Sequence, residues 1–268
     1  RQYETFVFKG KRIAMTVCED IWNIGNENPL YDICPMDELI KQGPDFMINV
    51  SASPFTYDHA NNRLGILKEN IDRYQIPIFY VNHVGSQTQI IFDGGSVVMS
   101  PNGRVFHELP YFTEEIITYE LDEVQKGEQE IIQDKDKMHL IHDAIVLGLH
   151  DYFGKLGFSK AILGLSGGID SAVTAVLAAR ALGPKNVRAV LMPSQFSSQH
   201  SIDDAIALAE NLGIRYDIVP IQKPYEAFYG LLESLFEGKP FNVAEENIQA
   251  RSRGLILMAL SNKHGNIL

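Results

Sequence analysis

Apolar and polar positions along the chain fall into two successive patterns. Arg12 to Cys18 (RIAMTVC) is a short apolar, β-rich run, and the polar cluster Glu19 to Pro29 behind it fits a buried strand that ends in a functional loop. Met36 to Gln42 is predicted as a short helix, Phe46 to Ser51 as a second apolar strand and Ile76 to Val81 as a third. Between the last two, Asn61 to Tyr74 places Leu64, Leu67 and Ile71 at helical spacing, as an amphipathic helix does. The runs Ile90–Met99 and Val105–Leu109 flank Ser100-Pro101-Asn102-Gly103-Arg104, a hairpin turn because Asn-Gly tolerates positive φ. Residues 116–121 (IITYEL) read as one last strand.

From Asp122 to Lys137 charged and amide residues dominate, which divides the chain into 1–124, a linker at 125–137, and 138–268. Met138 to Phe153 then carries Ile141, Ile145 and Leu149 on one helical face. Beyond Lys160 the pattern alternates: strand 160–165 and helix 170–182, strand 187–192 and helix 201–212, strand 215–221 and helix 224–237. Repeated strand-helix units require parallel strands with right-handed crossovers, so the second half is expected to be a doubly wound α/β domain. Ser201 with Asp204 three residues on has the form of a capping box opening the second of these helices.

Composition narrows the function classes. The 268 residues are 45% apolar and 21% charged with a net charge of -11, a globular balance that disfavours non-specific binding to nucleic acid. No apolar run reaches the ~20 residues that span a bilayer. Two cysteines, Cys18 and Cys34, are too few for a disulfide framework, and no secretory apolar segment opens the chain, which points to a reducing cytoplasm. A start at Arg1 and a stop inside the strand-like phrase Gly265-Asn266-Ile267-Leu268 read as an excerpt of something longer.

The most specific phrase is Gly164-Leu165-Ser166-Gly167-Gly168-Ile169-Asp170-Ser171. An apolar strand runs into Ser-Gly-Gly and out into a helix, so backbone N–H groups converge where the glycines leave room for an anion. Ser166 and Ser171 can add hydroxyls, and Asp170 can cap the helix or hold a metal ion. The plainer alternative is an ordinary strand-to-helix turn. The phrase is neither a Walker A loop nor a dinucleotide fingerprint. It resembles the pyrophosphate loop of the ATP pyrophosphatases, enzymes that split ATP between the α and β phosphates and leave AMP on their substrate.

Cys18 follows its strand and precedes Glu19-Asp20-Ile21-Trp22. A thiol on a tight turn can face a pocket while the next N–H points at a developing oxyanion; a small buried hydrophobe is the alternative. The adjacent carboxylates work against a thiolate, so a nucleophile here needs a base or cation from elsewhere. Thr16 to Trp22, Asn49-Val50-Ser51-Ala52-Ser53-Pro54-Phe55 and Tyr80-Val81-Asn82-His83-Val84-Gly85 together resemble the glutaminase domain of the nitrilase superfamily. Joined to the Ser166 loop, and with Met192-Pro193-Ser194, Ser197-Ser198 and Asn247-Ile248-Gln249-Ala250-Arg251 also matching, this order of domains resembles the glutamine-dependent NAD synthetases.

The resemblance implies the C-terminal part of a nitrilase-type αββα sandwich followed by a doubly wound, adenine nucleotide hydrolase-like domain. It implies a ligase that amidates deamido-NAD with ammonia from glutamine, through an adenylated intermediate. Cys18 would be the nucleophile, the Glu19 N–H an oxyanion donor, and Ser53 and His59 glutamine contacts, although a longer basic side chain is the expectation where His59 stands. Gly164, Leu165, Ser166, Gly167, Gly168, Ile169, Asp170, Ser171 and Met192 would bind ATP, with Asp170 on Mg2+. Asn247, Arg251 and Arg253 would contact deamido-NAD, against the alternative of solvated charges paired with Glu245 or Glu246. The partners implied are these small molecules and other copies of the chain, with no nucleic acid and no membrane.

The glutamate base and lysine of nitrilase chemistry lie well upstream of the cysteine in the family, so the 268 residues by themselves are expected to release no ammonia from glutamine. Two other classes remain on the sequence alone. One is another adenylating ligase with the same loop, such as a GMP synthetase or a thiolation enzyme, against which the Thr16 to Trp22 phrase argues. The other is a non-catalytic nucleotide-binding protein with a structural cysteine.

Overall fold

Parallel strands whose carboxyl ends carry polar loops organise both halves of the chain. The computed structural model describes residues 3–24, 32–133 and 136–268, in two units, Arg1–Gly148 and Leu149–Leu268. In the first unit β1 (Phe6–Phe8), β2 (Lys11–Val17), α1 (Pro35–Leu39), β3 (Phe46–Ser51), α2 (His59–Tyr74), β4 (Ile78–Asn82), β5 (Val84–Gln87), β6 (Ile90–Asp93), β7 (Val97–Met99), β8 (Val105–Glu108) and α3 (Leu121–Lys126) succeed one another. β2, β3 and β4 pair in parallel at the centre of a six-stranded sheet of order β1-β2-β3-β4-β7-β8, and β5 with β6 forms a separate ribbon.

The period-2 alternation of strands sends Ala14, Met47, Ile78 and Tyr80 to one face, where Met36 and Leu39 of α1 and Leu67 and Ile71 of α2 cover them. On the other face Val98 and Phe106 bury against Val124 of α3, whereas Met15, Val17, Val50 and Val81 stay about half exposed. The hairpin at Ser100–Arg104 forms as expected, with Ser100 N–H on the Arg104 carbonyl at 3.0 Å.

Two expectations in this unit are corrected. Residues 116–121 are not a strand: Ile116 is 98% exposed, and Tyr119 packs against Phe79, Phe106 and His107 before α3 begins. The run Ile90–Met99 is two strands, because Gly94 and Gly95 at positive φ turn the chain from the ribbon into the main sheet. β1 and β5, both short, were not foreseen. Of the expected polar turn at 19–29, residues 25–29 lie outside the described residues, as do 134–135 of the stretch read as linker. Within that stretch Ile131 bridges to His107, and the Gln133 N–H donates to Glu108 at 3.0 Å.

Lys137–Lys155 forms α4, followed by β9 (Ala161–Gly164), α5 (Ile169–Leu182), β10 (Val187–Leu191), α6 (Gln199–Leu212), β11 (Arg215–Ile218), α7 (Gln222–Leu232) and α8 (Val243–His264). β11, β10 and β9 are parallel neighbours in that order, and Ile267 bridges in parallel to Ala161 on the other edge of β9. The sheet therefore reverses direction at β9, and in open α/β sheets a ligand crevice lies at the carboxyl end of that strand. Ala175, Ala179, Ala205 and Ala209 let α5 and α6 lie close on the sheet. The capping box expected at Ser201 is replaced by Ser198, whose hydroxyl accepts from the Ser201 N–H at 3.1 Å, so the helix starts at Gln199. A two-residue earlier start puts the hydroxyl where the first turn's orphan donors need it.

Candidate functional site

In the first unit, the loops after β2 and β3 and the first turn of α2 gather four of the predicted residues. Cys18 leaves β2 with φ at +50°, a left-handed conformation that a non-glycine residue holds only when its surroundings impose it. The constraints are visible. Asp20 reaches back to accept the Val17 N–H at 2.9 Å, the Trp22 N–H closes on the Glu19 carbonyl at 2.9 Å, and the Asn49 amide donates to the Cys18 carbonyl at 3.3 Å. Buried Asn70 of α2 holds the Ile21 carbonyl at 3.0 Å. The cysteine is partly exposed, unlike Cys34, which is buried beside the Tyr74 hydroxyl.

Ser53 is buried, and its hydroxyl meets Nε2 of His59 at 2.9 Å. The His59 ring lies 5.2 Å, centroid to centroid, from Trp22, four residues beyond the cysteine. Burial of the ring, and then the Arg63 guanidinium, lower the His59 pKa below the usual imidazole value, against smaller opposing effects of Asp93 and Asp58. Beneath these residues runs a polar network that the sequence reading missed. Arg63, 1% exposed, grips Asp93, also 1% exposed, with two parallel bonds of 3.1 and 2.9 Å. Asp93 also accepts from the Asn82 amide at 2.9 Å, and Asn82 accepts the Ser53 N–H at 3.0 Å. Arg63 was legible in principle: with Leu67, Asn70, Ile71 and Tyr74 it shares the buried face of α2, where an unpaired charge would be untenable.

In the second unit the Ser166 loop opens on a cavity of about 520 Å³ at the carboxyl end of β9. Of the predicted residues, Gly164, Leu165, Ser166, Met192 and Arg253 line it, joined by Ser197 and Ser201 near the start of α6 and by Ala250, Gly254 and Leu257 along one face of α8. The loop is tied by its own hydroxyls: Ser171 accepts the Ser166 N–H at 3.2 Å and donates to the Gly168 carbonyl at 2.9 Å, and the Gly168 N–H lies 3.3 Å from the Ser166 hydroxyl. Gly168 is the N-cap of α5, and no side chain caps that helix, Asp170 included. Gly167, Ile169 and exposed Asp170 continue the loop into the first turn.

Arg253 donates from Nε to the Met192 carbonyl at 3.0 Å, and its burial lowers its pKa from the usual guanidinium value. Asn247 and Arg251, one turn apart, are exposed and are not among the residues that line the cavity. Glu245 is buried and accepts the Asn242 N–H at 2.9 Å, capping its own helix. Among the described residues no helix is long and apolar enough to cross a membrane.

Residues 141–268 match the family model for NAD synthase, and residues 72–129 match that for carbon-nitrogen hydrolase. A glutamine-dependent NAD(+) synthetase of Synechocystis is 41% identical over 275 residues, covering 99% of this chain and 48% of the relative. Over nearly its whole length the chain is thus similar to glutamine-dependent NAD synthetases. Such a synthetase from Rhodobacter capsulatus is 39% identical over 260 residues, 96% of this chain and 46% of its own. The structure of the glutamine-dependent NAD+ synthetase from Acinetobacter baumannii, in complex with ADP, matches with a TM-score of 0.86 at 34% identity, covering 99% of this chain and 49% of that one. The chain thus spans about half the length of the curated relatives it matches. The expected fold class, a nitrilase-like part followed by an α/β synthetase part, agrees with these matches.

Proposed function

We propose that the protein is a ligase that converts deamido-NAD to NAD, driven by ATP and supplied with nitrogen from glutamine. The observation that carries this reading is the coexistence, in one chain 41% identical to a glutamine-dependent NAD(+) synthetase, of a strained, partly exposed cysteine elbow and a Ser-Gly-Gly loop opening on a cavity. We divide the labour at residues 1–124 for the glutaminase, 125–137 for the linker and 138–268 for the synthetase.

In the glutaminase, Cys18 Sγ attacks the side-chain amide carbon of glutamine. The C–N bond breaks, ammonia leaves, and water hydrolyses the thioester to glutamate and free thiol. The Glu19 N–H donates to the developing oxyanion, and Ser53 and His59 hold the amino acid. The thiol proton goes to a general base, the part that the family gives to a glutamate.

In the synthetase, Gly164 to Ser171 hold the ATP phosphates on the loop amides and Ser166, with Ser171 shaping the loop, and Met192 borders the nucleotide. The deamido-NAD carboxylate attacks the α phosphorus, pyrophosphate leaves, and ammonia then displaces AMP from the acyl adenylate. Arg253 in the cavity, with Asn247 and Arg251 nearer the start of α8, recognises deamido-NAD phosphates. Among the described residues no cluster of three or more His, Cys, Asp or Glu could cage a metal. The exposed Asp170 carboxylate is an oxygen donor of the kind Mg2+ accepts, so Asp170 would hold the ion, which would neutralise phosphate charge there. The setting is a cytoplasmic homo-oligomer.

Incubating the full-length protein with ATP, glutamine and deamido-NAD tests the reading. AMP and pyrophosphate are expected, whereas ADP would overturn it. Cys18→Ala is expected to abolish glutamine-supported synthesis and keep ammonia-supported synthesis. Loss of both with intact folding would refute the division of labour.

A further inference from the structure

Resting on that reading of the glutamine site, we infer that the buried Arg63–Asp93 pair and Asn82 form a positioning relay that fixes the His59 imidazole for glutamine. The pair sets both ends of the Ser53–His59 hydrogen bond. At one end, Arg63 lies one turn along α2 from His59, so clamping Arg63 on Asp93 fixes the helix start that carries the ring. At the other, Asn82 stands on Asp93 at 2.9 Å and on the Gly94 carbonyl at 2.7 Å, and its remaining amide oxygen takes the Ser53 N–H at 3.0 Å. Ser53 in turn meets the ring at 2.9 Å, and the opposite boundary of the ring is Trp22 in the cysteine turn.

Three features separate a relay from a simple structural bridge. Its charged members are 1% exposed, a costly place for an ion pair, yet its output leads out of the interior to a partly exposed imidazole. The chain of bonds runs from the carboxylate to the ring without a gap, each link between 2.9 and 3.1 Å. Asn82 can serve both ends only as an amide: an Asp there would set a second carboxylate against Asp93, and a residue without the carbonyl would lose the Ser53 amide. Asn82 touches no reacting atom; it acts through Ser53 and His59.

The test uses Asn82→Ala in the full-length protein, leaving the Arg63–Asp93 pair in place. Removal of the Asn82 side chain, and with it the bond that positions Ser53, is expected to raise KM for glutamine about tenfold with kcat within about twofold. Alkylation of Cys18 by iodoacetamide, which needs no glutamine site, is expected to keep its rate. In the double variant Asn82→Ala/His59→Ala the KM is expected to be no higher than in His59→Ala alone, because both changes remove the same function. Asn82→Ser, which keeps a small polar side chain in that space, is expected to show the same KM effect should the alanine variant fold poorly. An unchanged glutamine KM in a folded Asn82 variant, or effects that multiply in the double variant, would overturn the relay while leaving the glutamine site standing. An unchanged KM in His59→Ala would overturn the glutamine-site reading itself, and the relay with it.

Discussion

Gly167 and Ser201 approach so closely that a β-carbon on the glycine would overlap the Ser201 carbonyl and Cα. The contact fastens the phosphate-type loop after β9 to the first turn of α6, and it occurs at a φ of +83° that other residues avoid. Neither partner is a flexible side chain that could swing away.

Gly167→Ala is therefore expected to destabilise the protein by ~3 kcal/mol, from a strained φ combined with overpacking against backbone. The neighbouring Gly168 differs: its φ is -85° and the nearest atom to an added β-carbon is the Ser166 hydroxyl at 3.4 Å. Gly168→Ala is expected to cost under ~1 kcal/mol yet raise KM for ATP about tenfold, because the methyl group occupies the anion's approach. Urea denaturation and steady-state kinetics on the two variants check both halves.

Stability on acidification depends on His59. Its pKa in the folded chain lies below the usual 6.5, chiefly through burial, so the unfolded chain binds the proton first as pH falls. The stabilisation is complete above pH 6.5 and is lost as pH drops through the lower folded value. Melting temperature is expected to fall less steeply between about pH 7 and pH 5 in His59→Gln than in the wild type. Equal slopes would remove His59 from the acid response.

The two arginines of α8 are expected to separate in kinetics. Arg253 lines the cavity and is anchored on the Met192 carbonyl, whereas Arg251 is exposed and is not among the lining residues. Arg253→Lys loses the planar fork and is expected to raise KM for deamido-NAD about tenfold, and Arg251→Ala by less than about threefold. Reversal of that order would place deamido-NAD on the opposite side of the helix.

The strand-helix alternation from Lys160 onward determined the order and type of β9 to α7 in the second unit, with ends that differ by up to five residues, since repeated strand-helix units require parallel strands with right-handed crossovers. The two chemical phrases were equally local: the Cys18 elbow and the Ser166 loop are contiguous stretches whose residue types dictate a tight turn. IITYEL failed as a strand because alternation states that a segment could pair, while only the fold decides whether a sheet edge is available to receive it.

What tertiary structure alone decided are relationships between distant positions. The sequence put Asn247, Arg251 and Arg253 in one group, and the docking of α8 turned only Arg253 into the cavity. Ser53 and His59 are six residues apart, but their meeting depends on Arg63, Asn82 and Asp93, drawn from α2, β4 and β6. Local patterns fix which turns and helices form because those are set by bonds between near neighbours; a buried polar network is fixed only when packing excludes water and leaves each group no other partner.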